Sequence, residues 1–196
     1  MNKHVNRTGE VAAGTSAFVL DLDAIRTRAR SHIERGAVTE SYRADRTTVL
    51  RILNEALATE IVCVLRYKRH AITAPKIGGI AGEAVAAELG THATEEQEHA
   101  DRIAARIAEL GGEPDYDPKN LASRSHSEYV AGTSLKQMLQ EDLVAERIAI
   151  ETYGEIVRYL GDRDSTTRRM MEDILAKEEE HADDLSDWLE RLTTRV

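Results

Sequence analysis

Only one cysteine, Cys63, occurs in the 196 residues. A lone thiol excludes an intrachain disulfide framework and fits a reducing, cytoplasmic setting. Prolines number three and aromatics make up 4%. Ala, Glu, Leu and Arg dominate instead, all good helix formers, so an all-α fold is the expectation. No hydrophobic run approaches the length of a membrane span. The stretch V-A-A-G-T-S-A-F-V-L is too broken by Gly, Thr and Ser to read as a targeting segment. Basic charge is the minority sign: 26 Lys and Arg face 35 Asp and Glu, for a net charge of -9. That balance argues against nucleic acid as a partner and suits a protein that handles cations.

What is present is an ordinary globular composition, 41% hydrophobic and 31% charged, long enough for one domain with a full core. Residues 1–44 read as an arm followed by a short helix capped by Asp21 or Asp23 and stopped at Gly36. Residues 45–196 read as four longer helices. The first spans about 45–74, ended by Pro75 and Gly78-Gly79. The second spans about 80–110, ended by Gly111-Gly112. The third spans about 134–160 and the fourth about 165–193. Short turns join the first to the second and the third to the fourth, which makes each pair antiparallel. More than twenty residues separate the second from the third, enough to return along a bundle.

Taking alternating three- and four-residue steps along each helix gives four inward stripes. They are Leu50, Leu53, Leu57, Glu60, Val64, Tyr67, Ala71; then Val85, Leu89, His92, Glu96, His99, Ile103; then Leu135, Leu139, Glu146, Ala149, Tyr153, Ile156, Leu160; then Met171, Ile174, Glu178, His181, Leu185, Trp188, Leu192. The third stripe has a gap that Asp142 or Leu143 would fill.

Each stripe is mainly apolar and each is interrupted by a carboxylate. A buried carboxylate costs several kcal/mol, on the order of the effective penalty per buried ion, unless it is paired or binds a metal. Four of them in one core would repel severely. Two divalent cations would neutralise them and leave two imidazoles as neutral donors. Glu96-x-x-His99 and Glu178-x-x-His181 each set a carboxylate and an imidazole on adjacent turns of one face. Glu60 and Glu146 each add one carboxylate from the other two helices. One such spacing is weak; six residues on the right faces make the di-iron or di-manganese carboxylate pattern. The halves also repeat: Tyr67 follows Glu60 by seven residues, and Tyr153 follows Glu146 by seven.

The stretches L-N-E-A-L-A-T-E, E-E-Q-E-H-A-D-R-I-A-A-R-I-A-E-L-G-G-E-P, M-L-Q-E-D-L-V-A-E and I-L-A-K-E-E-E-H resemble the ferritin-like superfamily, bacterioferritin above all. The resemblance spans residues 53–181. It implies a ferritin-like four-helix bundle with a long crossover between helices 2 and 3. It implies that Glu60 and His99 hold one iron, Glu146 and His181 another, and that Glu96 and Glu178 bridge them. Tyr67 matches the tyrosine beside the family's centre. Bacterioferritin carries a haem-ligating Met where this chain has Gln97, so haem is not expected. The short C-terminal remainder after His181 and the N-terminal extension resemble Dps-like relatives with twelve-subunit shells.

The function these features imply is a ferroxidase that oxidises Fe(II) with O2 or H2O2 and stores iron in a homo-oligomer of twelve, with 24 subunits or a dimer as alternatives. A di-manganese catalase, a di-iron oxidase without a cage, and a Dps-like packaging protein are the rival readings. A rubrerythrin-type peroxidase would need a Cys-x-x-Cys pair that is absent. Neighbouring residues have plainer readings. His92 reads as a hydrogen-bonded core histidine, with an accessory ligand as the alternative. Glu95, Glu98, Glu179 and Glu180 read as a solvated face, Asp142 as site lining or rim, and Cys63 as a packed small hydrophobe. Trp188 reads as a core or interface aromatic, and His126 as a surface residue.

Overall fold

The computed structural model describes residues 18–194. Most of the arm read over residues 1–20, including Lys3 and Arg7, lies outside the described residues. Five α-helices form the framework: α1 (Leu22–Arg30), α2 (Arg46–Glu109), α3 (Leu121–Arg124), α4 (Leu135–Leu160) and α5 (Ser165–Thr194).

Asp21 caps α1 by accepting the Ala24 N–H at 3.0 Å. The helix ends at Ser31 rather than at Gly36, because a separate 3-10 turn, Ile33–Arg35, intervenes. Gly36 closes that turn with a φ of 56°. No residue of α1 is buried.

The sequence ends its first long helix at Pro75 and Gly78-Gly79. In the structure the helical backbone runs on through Pro75, and Gly79 alone reverses the chain, with φ 55° and ψ -132°. Proline near the end of a limb removes a single donor to the preceding turn, a tolerable loss there. The positive φ at residue 79 is the conformation glycine adopts without penalty. The reversal is tight enough that a Cβ on Gly82 would lie 2.1 Å from the Ala74 carbonyl oxygen. The two limbs are antiparallel, since Arg46 at the start of the first donates to the carbonyls of Leu110 and Gly111 at the end of the second.

The crossover zips along the first limb of α2. The Asp115 N–H donates to Asn54 at 2.8 Å and the His126 N–H to Thr59 Oγ1 at 2.9 Å. Further along, Arg66 donates to the Glu128 carbonyl at 3.1 Å, and Arg69 and His70 both reach the Ala131 carbonyl. His126 is thereby half-buried rather than a free surface residue. The chain then enters α4, capped by Ser134, whose hydroxyl accepts the Gln137 N–H at 3.2 Å. Gly161 ends α4, and Asp164 caps α5 by accepting the Thr167 N–H at 2.9 Å. Asp164 also accepts from Tyr42 at 2.9 Å and from Arg106 at 3.2 Å, tying the segment before α2 to the second turn.

Two apolar clusters fill the bundle. Leu53, Leu57, Ile103, Ile107, Met171 and Ile174 belong to one, and Val85, Leu89, Leu139 and Leu185 to the other. Burying each Leu or Ile side chain stabilises the fold by about 1.5–3 kcal/mol. Nearly all of the inward stripes are buried; Leu50, Ala71, Trp188 and Leu192 sit at the margins, half-exposed. Asp142, not Leu143, fills the gap in the third stripe. Among the described residues no helix is long and apolar enough to cross a membrane.

Candidate metal centre

The charged layer lies among the four long segments. The first limb of α2 presents Glu60, the second limb Glu96 and His99, α4 presents Glu146, and α5 presents Glu178 and His181. None of the six is more than 4% exposed. Their ligand atoms fall into two groups, Glu60, Glu96, His99 and Glu178, and Glu96, Glu146, Glu178 and His181. Within each group the atoms lie within 4.8 Å of one another. Glu96 and Glu178 belong to both groups.

The hydrogen bonding inside this layer is incomplete. Glu60 Oε2, Glu146 Oε2, both Glu178 oxygens and His99 Nδ1 are buried without a hydrogen-bond partner. His99 Nδ1 lies 2.9 Å from Glu178 and 3.5 Å from Glu60, close but not aligned for a hydrogen bond. Orphaned buried acceptors are costly, about 1–3 kcal/mol each or more for charged groups. Donor atoms of this kind, oxygen and imidazole nitrogen aimed at a common point, fit a hard or borderline divalent cation.

Burial drives the carboxyl groups toward their protonated forms. Burial raises Glu96 well above its ordinary value, helped by the charges of Glu178, Glu60 and Glu146. Glu178 is raised well above its ordinary value for the same reason, burial first and then Glu60 and Glu146. Glu146 is raised by burial, against the pull of His181 and Tyr67. Glu60 goes the other way: burial pushes it up, but the neighbouring Glu96 carboxyl, the His99 imidazole and the Tyr153 hydroxyl hold it down. Without cations, burial thus favours the protonated forms of Glu96, Glu146 and Glu178.

Two tyrosines cross the bundle. Tyr67, on the first limb of α2, donates to Glu146 on α4, and Tyr153, on α4, donates to Glu60 on the first limb. Burial and these carboxylates raise both phenols well above their ordinary range, so both stay neutral donors. The sequence singled out Tyr67. Tyr153 occupies the matching place in the other half, and the shared seven-residue spacing is the signal that links them.

Glu95 departs from the solvated face assigned to it. Its Oε2 lies 2.8 Å from His181 Nε2, while His181 Nδ1 faces Glu96 at 3.2 Å. A carboxylate on the outer ring nitrogen orients a ligating imidazole and fixes which nitrogen is free. The need of any such histidine for an outer acceptor is the signal that finds Glu95. Asp142 neither lines the centre nor sits at a rim. It is fully buried and accepts from Arg66 Nε at 2.8 Å and faces His70 Nδ1 at 2.8 Å. Cys63 is buried, and burial pushes its thiol up to about 12, which suits a packed rather than a reactive group. Gln97 donates to Asp101 at 3.0 Å. His92 is buried and stacks on His181, with ring centroids 4.1 Å apart, but neither of its nitrogens has a hydrogen-bond partner. Burial first, then His181, holds it down at about 3.

A four-helix bundle with one long crossover and a buried carboxylate–imidazole centre defines the class. A family model described as the ferritin-like domain matches residues 50–194, and the chain belongs to that family. The bacterioferritin of Mycobacterium bovis is 32% identical over 143 residues, covering 72% of this chain and 84% of that one. A solved structure of a dodecameric thioferritin, the bacterioferritin-related protein from Bacteroides fragilis, is 34% identical with a TM-score of 0.73. It covers 78% of this chain and 90% of that chain. The Desulfovibrio desulfuricans bacterioferritin, solved with its diiron site in different catalytic states, is 25% identical with a TM-score of 0.67. It covers 76% and 82% of the two chains.

Proposed function

We propose that this protein is a ferroxidase. It takes two Fe(II) ions per subunit as substrate, oxidises them with O2 or H2O2, and retains Fe(III) in an oligomeric shell. The observation that carries this reading is the pair of ligand groups sharing Glu96 and Glu178, with buried donor atoms left unpartnered. Glu60 and His99 would hold one ion and Glu146 and His181 the other, with Glu96 and Glu178 serving both.

The chemistry follows from the protons already present. Entry of Fe(II) releases the protons that burial keeps on Glu96 and Glu178, since a metal-binding carboxylate is deprotonated. Each Fe(II) then gives up one electron. Peroxide accepts the two electrons with two protons, its O–O bond breaks, and two waters leave; O2 accepts the same pair with two protons to give H2O2. Tyr67 holds Glu146 in place through its hydroxyl, as Tyr153 holds Glu60, and is a phenol able to supply a further electron. Glu95 holds His181 with Nδ1 turned inward.

A twelve-subunit shell is the assembly supported by the likeness to the dodecameric protein of Bacteroides fragilis. The same ligand types suit manganese, so a di-manganese catalase or a cage-free di-iron oxidase is the second reading. The test is to load the metal-free protein anaerobically with Fe(II), add O2 or H2O2, and measure native mass. Fast oxidation with many irons per subunit in a large particle is the expected result. A small oligomer that stops at two metals sinks storage and favours the second reading. Glu96→Ala and Glu178→Ala should each abolish fast oxidation with the fold kept; unchanged oxidation would overturn the ligand assignment.

A further inference from the structure

A third group of metal-ligand side chains lies beside the centre. Glu88 and His92 stand one turn apart on the second limb of α2, and Asp184 faces them from α5. One ligand atom from each of the three lies within 4.8 Å of the other two. His92 Nε2 is 3.7 Å from Glu88 Oε1 and 3.8 Å from Asp184 Oδ2. Those separations are too long for hydrogen bonds. They are close to the edge of a coordination shell, since bonds of about 2.0–2.2 Å at tetrahedral angles put neighbouring ligands roughly 3.3–3.6 Å apart.

A pair of carboxylates near a histidine is a common surface feature, but His92 is not a surface histidine. It is 1% exposed, and both ring nitrogens lack a hydrogen-bond partner. A buried polar nitrogen left unpartnered is costly. Its packing explains why it stays put: Tyr67 meets its ring edge-on with centroids 5.3 Å apart, and His181 stacks on it. Glu88 and Asp184 complete the cluster from the solvent side, their side chains 35% and 48% exposed. The arrangement therefore has a dry imidazole at its base and a wet, anionic mouth.

We propose that Glu88, His92 and Asp184 form an outer divalent-cation site, separate from the two central groups. One imidazole and two carboxylates select a borderline cation such as Fe(II), Mn(II), Co(II) or Zn(II) over Ca(II) or Mg(II), which favour all-oxygen shells. The exposed carboxylates admit the ion from solvent, and His92 sets it one stacked ring away from His181. Resting on the ferroxidase reading, this site is the last stop of Fe(II) before the centre.

Zn(II) is the probe, because it binds without changing oxidation state. Crystals of the metal-free protein soaked in Zn(II) should show an anomalous peak among Glu88, His92 and Asp184. In solution, Glu88→Gln/Asp184→Asn should bind one Zn(II) per chain fewer than the unaltered protein, by elemental analysis after desalting. Both carboxylates are partly exposed, so the double variant should keep its fold and its central peaks. A peak at the outer cluster with the central groups empty supports this site while sinking the dinuclear reading. Central peaks without an outer one, and equal metal counts in both proteins, overturn the outer site and leave the dinuclear reading standing.

Discussion

The hydroxyl of Tyr67 donates to Glu146 across the bundle, from the first antiparallel hairpin to the second. The reverse contact, Tyr153 to Glu60, returns the same bond from the second hairpin to the first. Each half thus holds the carboxylate supplied by the other. The exchange makes Tyr67→Phe and Tyr153→Phe equivalent tests. Each should lower the stability of the metal-free protein by about 1–3 kcal/mol, the range for leaving a buried polar group unsatisfied. Denaturant unfolding of the two variants should give similar losses; a large difference would show that the halves are not equivalent.

Asp142 should be a keystone of the crossover. It is buried between Arg66 and His70, and both of those also bond crossover carbonyls. Asp142→Ala leaves the Arg66 guanidinium buried without its carboxylate. Breaking a buried pair in this way costs about 3–5 kcal/mol. Urea unfolding should show that loss, and limited proteolysis should cut more readily near Glu128–Ala131.

The pH response of the metal-free protein has a definite sign. Glu96 and Glu178 have folded values well above the ordinary 4.5, so the folded chain binds protons that the unfolded chain has released. The stability they add is full below 4.5 and is lost as pH rises through their folded values. His92, held at about 3 against an ordinary 6.5, works oppositely, but only below 6.5. The melting temperature of the metal-free protein should therefore fall as pH rises above 6.5. With Zn(II) bound the trend should reverse, because the cation replaces those protons and binds better as pH rises. Calorimetry on both forms checks it; a flat or rising metal-free curve above pH 6.5 contradicts it.

Glu95→Gln should weaken metal binding without unfolding the chain. Its carboxylate contacts His181 Nε2 and lies near Lys177, partly exposed. Loss of an outer carboxylate from a ligating histidine typically lowers metal affinity about 10–100-fold. A competition titration with a coloured chelator measures this. A Glu98→Gln control, at an exposed position in the same turn, should leave affinity unchanged.

The bundle and its six inward Glu and His side chains were legible because their signal is periodic. Glu60 and Glu96 recur on stripes whose neighbours, Leu57 and Ile103, demand burial whatever the partner helix. Arg66 and His70 were not legible in this way. They lie off that stripe, and the crossover together with Asp142 of α4, laid against that side, makes them buried. Nothing in the spacing of α2 announces that covering. Pro75 misled for a different reason. It signals a helix end locally, but the chain postpones the end to Gly79, the residue able to adopt the reversing conformation. Glu95 was hidden by its two acidic neighbours, since one carboxylate among several looks like surface until the imidazole opposite is placed.

Gly79 leaves the first hairpin a joint only one residue long. Each added residue turns an α-helix by about 100° and lengthens it by about 1.5 Å. A single insertion there would swing Glu96 and His99 out of phase with Glu60, with no loop to absorb the error. The short turn between Leu160 and Ser165 constrains Glu146 and Glu178 in the same manner. Each hairpin is thus a half-mould in which the phase of the facing side chains is set by its own short turn. The long crossover carries the tolerance instead: between its ties to Asn54, Thr59, Arg66 and His70 it can change length without misaligning either half.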